Sequence, residues 1–149
     1  MRAIVQRVLG AYVEVGGQVI GKIGPGLVAF VGAGSGDTDD DVCAVAGKVG
    51  GLRVFEDELN KISRSVVDVG GSILAISQFT VYGDVRRGLR PSFVCAMEPV
   101  EAERRFHCFV DKVRALGIHT ETGRFRADMR VVVDNDGPVT ILIDSRKAF

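Results

Sequence analysis

One short run limits the folds open to this chain more than any other: Ser72-Ile73-Leu74-Ala75-Ile76-Ser77-Gln78-Phe79-Thr80, with Gly70 and Gly71 punctuating its start. Ile73 to Ile76 is continuously apolar, as expected for a strand covered on both faces. It then stops in two hydroxyls, an amide and an aromatic ring. Polar groups at the end of a buried strand stand on a rigid support, which is where catalytic groups are often displayed. The same hydroxyls also suit a strand end that simply satisfies turn backbone. Both readings stay open on position alone.

What surrounds this strand is bounded by size and charge. The chain has 149 residues, enough for one domain over 1–149 with a proper core. Hydrophobic residues make up 46% and charged residues 26%, which excludes a disordered chain. Lys+Arg and Asp+Glu are both 19, so the formal net charge is zero. A protein that grips nucleic acid through many phosphates is usually basic, so any RNA contact here is local. No apolar run is long enough to span a membrane and no signal-peptide pattern opens the chain, so a cytoplasmic protein is expected. Cys43, Cys95 and Cys108 are scattered and odd in number, without a CxxC. That favours a reducing compartment over a disulfide frame or a zinc site.

Taken in order, Arg2 to Val15 alternates as a strand, and Gly16-Gly17 reads as a hairpin turn into a second strand, Gln18 to Ile23. Leu27 to Val31 is a buried third strand. The glycines of 32–36 resemble a phosphate cradle, but no Gly-Lys-Ser/Thr follows. Asp37, Asp39, Asp40 and Asp41 would repel phosphate there, so a plain loop is expected. Thr38 or Asp37 can cap a helix whose apolar face is Val42, Val45, Ala46 and Val49, stopped by Gly50-Gly51. Leu52 to Phe55 reads as a short strand, with a polar loop to Arg64. Pro99 opens and Gly117 closes a second helix, Val100 to Leu116, with Phe106, Phe109, Val110, Val113 and Leu116 on its apolar face. Ile118 to Thr122, Met129 to Val133 and Val139 to Ile143 are further strands. Asp136-Gly137 between the last two signals a hairpin, and Pro138 belongs at a strand start or an edge. Roughly eight strands and two main helices make an α+β domain with a large, mainly antiparallel sheet or open barrel.

Little in the chain looks like a general base. His107 lies beside the polar face of the second helix and is expected to be exposed; His119 is packed or exposed. No Gly-x-Ser-x-Gly, no Ser-His-Asp spacing and no metal-ligand cluster is present. If the chain is an enzyme, two routes remain: backbone N–H groups that stabilise an oxyanion, and a substrate that supplies its own proton-transfer group. An activated ester fits best. Arg86, Arg87 and Arg90 form the only compact basic stretch, in a loop marked by Gly88 and Pro91. It reads either as a clamp for RNA phosphate or as a solvated loop.

Five stretches in order carry a resemblance: 1–8 (MRAIVQRV), Ser77-Gln78-Phe79-Thr80, Arg90-Pro91-Ser92-Phe93, Thr122-Gly123-Arg124-Phe125 and 135–140 (NDGPVT). Over nearly its whole length the chain is similar to D-aminoacyl-tRNA deacylases of the widespread bacterial and eukaryotic type. The resemblance implies hydrolysis of the ester joining a D-amino acid to the terminal adenosine of tRNA, and of glycine mischarged on tRNA-Ala. It implies no metal or organic cofactor and a part for the ribose 2′-hydroxyl. It implies a homodimer with active sites at the interface. It gives Ser77, Gln78, Phe79 and Thr80 the catalytic site, with the N–H groups of the last three on the oxyanion. It makes Gly137-Pro138, with a cis bond, a filter against L-amino acids that enters the partner's site. Phe125 and Met129, with Arg7, Arg86, Arg87 and Arg90, fall to the terminal adenosine and the rest of the tRNA. A loop aromatic and a strand methionine also fit ordinary core packing.

Two positions depart from the family pattern. Arg126 stands where Gly or Ala is usual, and Ser63 where Asn is usual. Beside the deacylase stand two other classes. A non-catalytic RNA-binding module predicts tRNA binding without turnover, and a hydrolase of small free esters predicts turnover without tRNA.

Overall fold

The structure, a computed structural model, describes residues 1–148. Its organising element is β1 (Arg2–Val15), paired along both edges. On one edge it pairs antiparallel with β8 (Arg130–Asp144), from Arg2↔Asp144 to Glu14↔Arg130. The other edge is shared between β3 (Gly26–Gly32), which takes Arg2 to Val8, and β2 (Gln18–Ile23), which takes Ala11 to Val15. Gly16 and Gly17 have φ of 58° and 78°, the left-handed pair that a tight hairpin demands.

Beyond β3 the sheet continues through β6 (Ser72–Ser77) to β7 (Thr120–Thr122), in the order β2-β1-β3-β6-β7. The sheet is mainly antiparallel, as expected, with one parallel part. All pairings of β1 are antiparallel, but both pairings of β6 are parallel. The reason lies in the connections. A helix crosses between β3 and β6 and another between β6 and β7, and such crossovers return the chain in the same direction.

The apolar run of β6 is buried on both faces. Ile73 and Ala75 face a core shared with both helices, while Leu74 and Ile76 join Val8, Ala11, Val13, Ile23 and Val28. Burial of each large side chain contributes roughly 1.5–3 kcal/mol. The second core exists because the sheet curls back on itself. A Cβ on Gly21 of β2 would stand 2.8 Å from the Thr122 carbonyl oxygen of β7, so the sheet's two ends nearly close a barrel.

The helices follow their sequence signals. α1 (Asp39–Gly51) is capped by Thr38, whose N–H and hydroxyl both donate to Asp41, at 2.8 and 3.0 Å. Hydrogen bonds from Ser145 and Thr38 hold the Asp41 carboxyl down at about 2. α2 (Pro99–Ala115) has Pro99 in its first turn, and the Glu98 carboxylate accepts from Val100 N–H. Phe106, Phe109, Val110 and Val113 are buried as the spacing predicts, whereas Leu116 is half-exposed.

Two expected elements are different. The strand expected over Leu52–Phe55 is reduced to β4 (Phe55–Glu56), paired with β5 (Ile62–Arg64). The Val54 carbonyl is taken by the Arg7 side chain at 2.6 Å instead of a ladder, and Asp57 folds the loop by accepting from Leu59 N–H, Lys61 N–H and the Ser63 hydroxyl. Ser63, the second departure from the family pattern, is thus part of this outlying hairpin.

The larger correction concerns residues 129–143. No hairpin forms at Asp136-Gly137; the two expected strands are one, β8, with a bulge. Pairing to β1 runs to Val8↔Asn135 and resumes at Gln6↔Thr140, so residues 136–139 stand out of the ladder. The Asn135 amide closes the bulge by donating to the Arg7 and Val139 carbonyls at 2.9 and 3.1 Å. β1 is long enough to template both halves, and that non-local pairing overrides the local Asp-Gly signal.

Candidate active site

β6 leaves the sheet at Ser77, opposite Val31, and the chain enters a 3-10 turn over Phe79–Tyr82. Gly32 makes room for it: a Cβ there would lie 2.7 Å from the Gln78 carbonyl oxygen. The turn is closed by Val81 N–H on the Gln78 carbonyl and Gly83 N–H on the Thr80 carbonyl. The Gln78 side-chain amide makes a short hydrogen bond to the Thr80 hydroxyl. One of the three expected oxyanion donors is spent, because Gln78 N–H donates to the Val31 carbonyl at 2.8 Å. The N–H groups of Phe79 and Thr80 open the turn, where no earlier carbonyl of the turn can reach them.

Beside this strand end lies a cleft of about 510 Å³. Ser77, Gln78 and Phe79 line one part of it, and Phe125, Arg126 and Met129 another. Thr80 is exposed and lies outside the lining, tied to it through Gln78. Phe79 is braced edge-on by Phe93 at 5.0 Å between ring centres. Phe125 leans on Phe106 at 6.5 Å and, like Met129, is half-buried, so both residues touch the core and the cleft. Among the described residues, the lining holds no Asp, Glu, His or Lys; Arg126 is its one charged side chain. His107 and His119 are both exposed and outside it.

The remaining expected site residues lie elsewhere. Arg7, expected to meet tRNA, is buried. Its guanidinium pairs with Asp136 at 2.9 Å and donates to the Val54 carbonyl. Period-two alternation puts Arg7 on the face of Ala3 and Val5, which is why it points inward. Its place in the structure is to brace the β8 bulge from β1. Gly137 and Pro138, at the tip of that bulge, are exposed, joined by a cis peptide bond, and not part of the cleft of their own chain. Arg86, Arg87 and Arg90 are exposed. Arg86 is already gripped two-fold by Asp84, at 2.7 and 2.9 Å, and this holds the Asp84 carboxyl below the usual range. Arg87 and Arg90 make no such pair among the described residues.

Met1, Met97 and Phe106 line the cleft without having been singled out for it. Phe106 was visible as helix core, but only the packing of α2 turns it toward the strand end. Next to Met1 is a buried polar knot. Asp37 accepts from Gly34 N–H at 2.6 Å and pairs with the Met1 ammonium at 2.7 Å and with Arg146 at 3.1 Å. Tyr82 donates to the same carboxylate, and burial together with that negative charge pushes its phenol well above the ordinary range.

These features define a class: an α+β protein with an apolar cleft at the end of a central parallel strand and backbone donors rather than acid–base side chains at its rim. Comparison with known proteins makes the class specific. The chain belongs to the D-Tyr-tRNA(Tyr) deacylase family, which it matches over residues 4–144. It is 65% identical over 150 residues to a D-aminoacyl-tRNA deacylase of Sorangium cellulosum, covering 100% of both chains. It is 56% identical to one of Symbiobacterium thermophilum, covering 100% of this chain and 99% of that one. Among solved structures, a c-Myc DNA unwinding element binding protein superposes with a TM-score of 0.92 at 40% identity, over 97% of this chain and 98% of that one. A probable eukaryotic D-amino acid tRNA deacylase, at 16% identity, shares the fold with a TM-score of 0.82 over 96% of this chain and 98% of that one. No helix among the described residues is long and apolar enough to cross a membrane.

Proposed function

We propose that this chain is a hydrolase that cleaves the ester between a D-amino acid, or glycine mischarged on tRNA-Ala, and the terminal adenosine of tRNA. The observation that carries this reading is the cleft lining: a polar strand end facing aromatic and thioether side chains, with no Asp, Glu, His or Lys among the described residues. Such a site suits an ester whose own neighbouring hydroxyl moves the proton. Water adds to the ester carbonyl, and the N–H groups of Phe79 and Thr80 hold the oxyanion. The carbon–oxygen bond to the ribose then breaks, and the proton lost by water ends on the departing ribose oxygen, relayed by the 2′-hydroxyl. Phe125 and Met129 hold the adenine; an aromatic face stacks a base at roughly 1–3 kcal/mol. Residues 1–149 act as one domain, and the reaction belongs to translation in the cytoplasm.

The placement of Gly137 and Pro138 supports a homodimer. They stand at a bulge, exposed and outside the lining of their own cleft, on a strand that pairs only with β1 among the described residues. In this reading they enter the partner's cleft, where their carbonyls hold the substrate α-amino group and leave no room for an L side chain. Matched D- and L-aminoacyl-tRNAs test the assignment. D-aminoacyl and glycyl esters are cleaved and L-esters spared; efficient cleavage of an L-ester removes the filter, and tRNA binding without turnover favours a non-catalytic module.

The arginine loop gives a separate expectation. Because Asp84 already engages Arg86, the free phosphate contacts are those of Arg87 and Arg90. The double change Arg87→Glu, Arg90→Glu lowers tRNA affinity and flattens its slope against log salt by roughly 1–2. An unchanged slope takes this loop out of the RNA footprint.

A further inference from the structure

We propose that Arg126 binds a phosphate at the single-stranded 3′ end of the substrate RNA, the one on the 5′ side of the terminal adenosine. The inference rests on the deacylase reading and names the residue that meets the RNA backbone within the cleft. Three observations converge on it. First, among the described residues Arg126 is the one charged side chain lining the cleft. Second, it is exposed, and its guanidinium has neither an ion pair nor a hydrogen bond among the described residues. Third, its backbone sits where an arginine is costly. Ala127 N–H donates to the Arg124 carbonyl at 3.2 Å, closing a turn in which Arg126 is the third residue with φ of 59°. That is the position a type II turn gives to glycine or asparagine. Backbone strain of this kind clusters where function holds it in place.

The chemistry of the substrate decides what the guanidinium meets. The carboxyl of the amino acid is esterified, so its common negative groups are phosphates. The polar strand end takes the ester and the amino acid, which leaves the nucleotide at the side of Phe125 and Arg126. An adenine held against Phe125 brings its 5′ phosphate to the adjacent turn residue. A guanidinium is suited to that contact, because its planar fork matches two phosphate oxygens.

The experiment compares D-aminoacyl-tRNA with the D-aminoacyl ester of adenosine, which has no phosphate, for the intact protein, Arg126→Gly and Arg126→Lys. Losing one charge-assisted contact raises KM for the tRNA about tenfold in Arg126→Gly, with kcat within about twofold. KM for the adenosine ester is unchanged, and Arg126→Lys recovers part of the tRNA effect. Tm stays level or rises in Arg126→Gly, since glycine accepts the positive φ; a merely structural arginine would lower it. The proposal is overturned if KM for tRNA does not move, or if it rises equally for both substrates. If the intact protein turns over neither substrate, the deacylase reading fails and takes this one with it. Turnover with an unmoved KM overturns this one alone.

Discussion

Replacing Phe79 by proline is expected to lower kcat about a hundred- to a thousand-fold, the usual loss for one oxyanion donor. The structure makes this a clean test. Phe79 opens the 3-10 turn, and Gln78 before it has φ −141° and ψ 83°, outside the helical region that a following proline disfavours. Proline removes the Phe79 N–H and leaves the turn's own donors, Val81 N–H and Gly83 N–H, in place. It also removes the ring that meets Phe93, and Phe79→Ala controls for that loss while keeping the donor. Single-turnover kinetics on a D-aminoacyl-tRNA should show Phe79→Ala far closer to the parent protein than Phe79→Pro. Thr80→Ala, which keeps its N–H and loses only the hydroxyl that Gln78 meets, should retain part of the activity. A folded but inactive Thr80→Ala would make that hydroxyl the nucleophile or an essential proton carrier.

Gly137→Ala is expected to be nearly as damaging. Gly137 has φ of 113°, and a Cβ there would stand 2.9 Å from the Val139 side chain and 3.0 Å from the Arg7 guanidinium. Both neighbours are held: Arg7 by Asp136 and the Val54 carbonyl, Val139 by its carbonyl's bond from Asn135. The bulge must shift rather than absorb the methyl group. Since 136–139 lie outside the ladder, the fold should survive with a modest fall in Tm. Activity on D-aminoacyl-tRNA should drop about a hundredfold, because a misplacement near 1 Å is enough for that. The ratio of D to L cleavage should drop too. An unchanged ratio in a variant that is otherwise slow would separate the bulge from chirality.

How legible all this was depends on whether the deciding contact was local. Both helices were readable, because capping by Thr38 and Pro99 and the spacing of Val42, Val45, Phe106 and Phe109 are local properties. The central strand was readable because burial on both faces leaves a continuous apolar run. Its parallel partners were not named, since direction is set by where the crossover helices return the chain. The inward direction of Arg7 was legible, because strict alternation along β1 carries it, but its partners Asp136 and Val54 come from distant parts of the chain. The bulge was misread because Asp-Gly is a hairpin dipeptide wherever it occurs, and only the length of β1 reveals a partner waiting on both sides. In the cleft, Ser77 to Phe79 were legible, while the joining of Phe125, Arg126 and Phe106 to them is a product of tertiary packing. The left-handed backbone at Arg126 could not be seen either, because nothing in the residue announces it.

That bulge differs from a hairpin tip in how it tolerates change of length. A tip can grow outward residue by residue, since only one end of each strand is tethered to it. The segment 136–139 is anchored to the same neighbouring strand before and after, at Val8↔Asn135 and Gln6↔Thr140. Its projection is therefore set like a step cut into a rail. An inserted residue alters how far Gly137 and Pro138 stand out, while everything downstream stays in register. Insertions and deletions here should thus tune reach without touching the body of the protein, a handle that point substitutions do not offer.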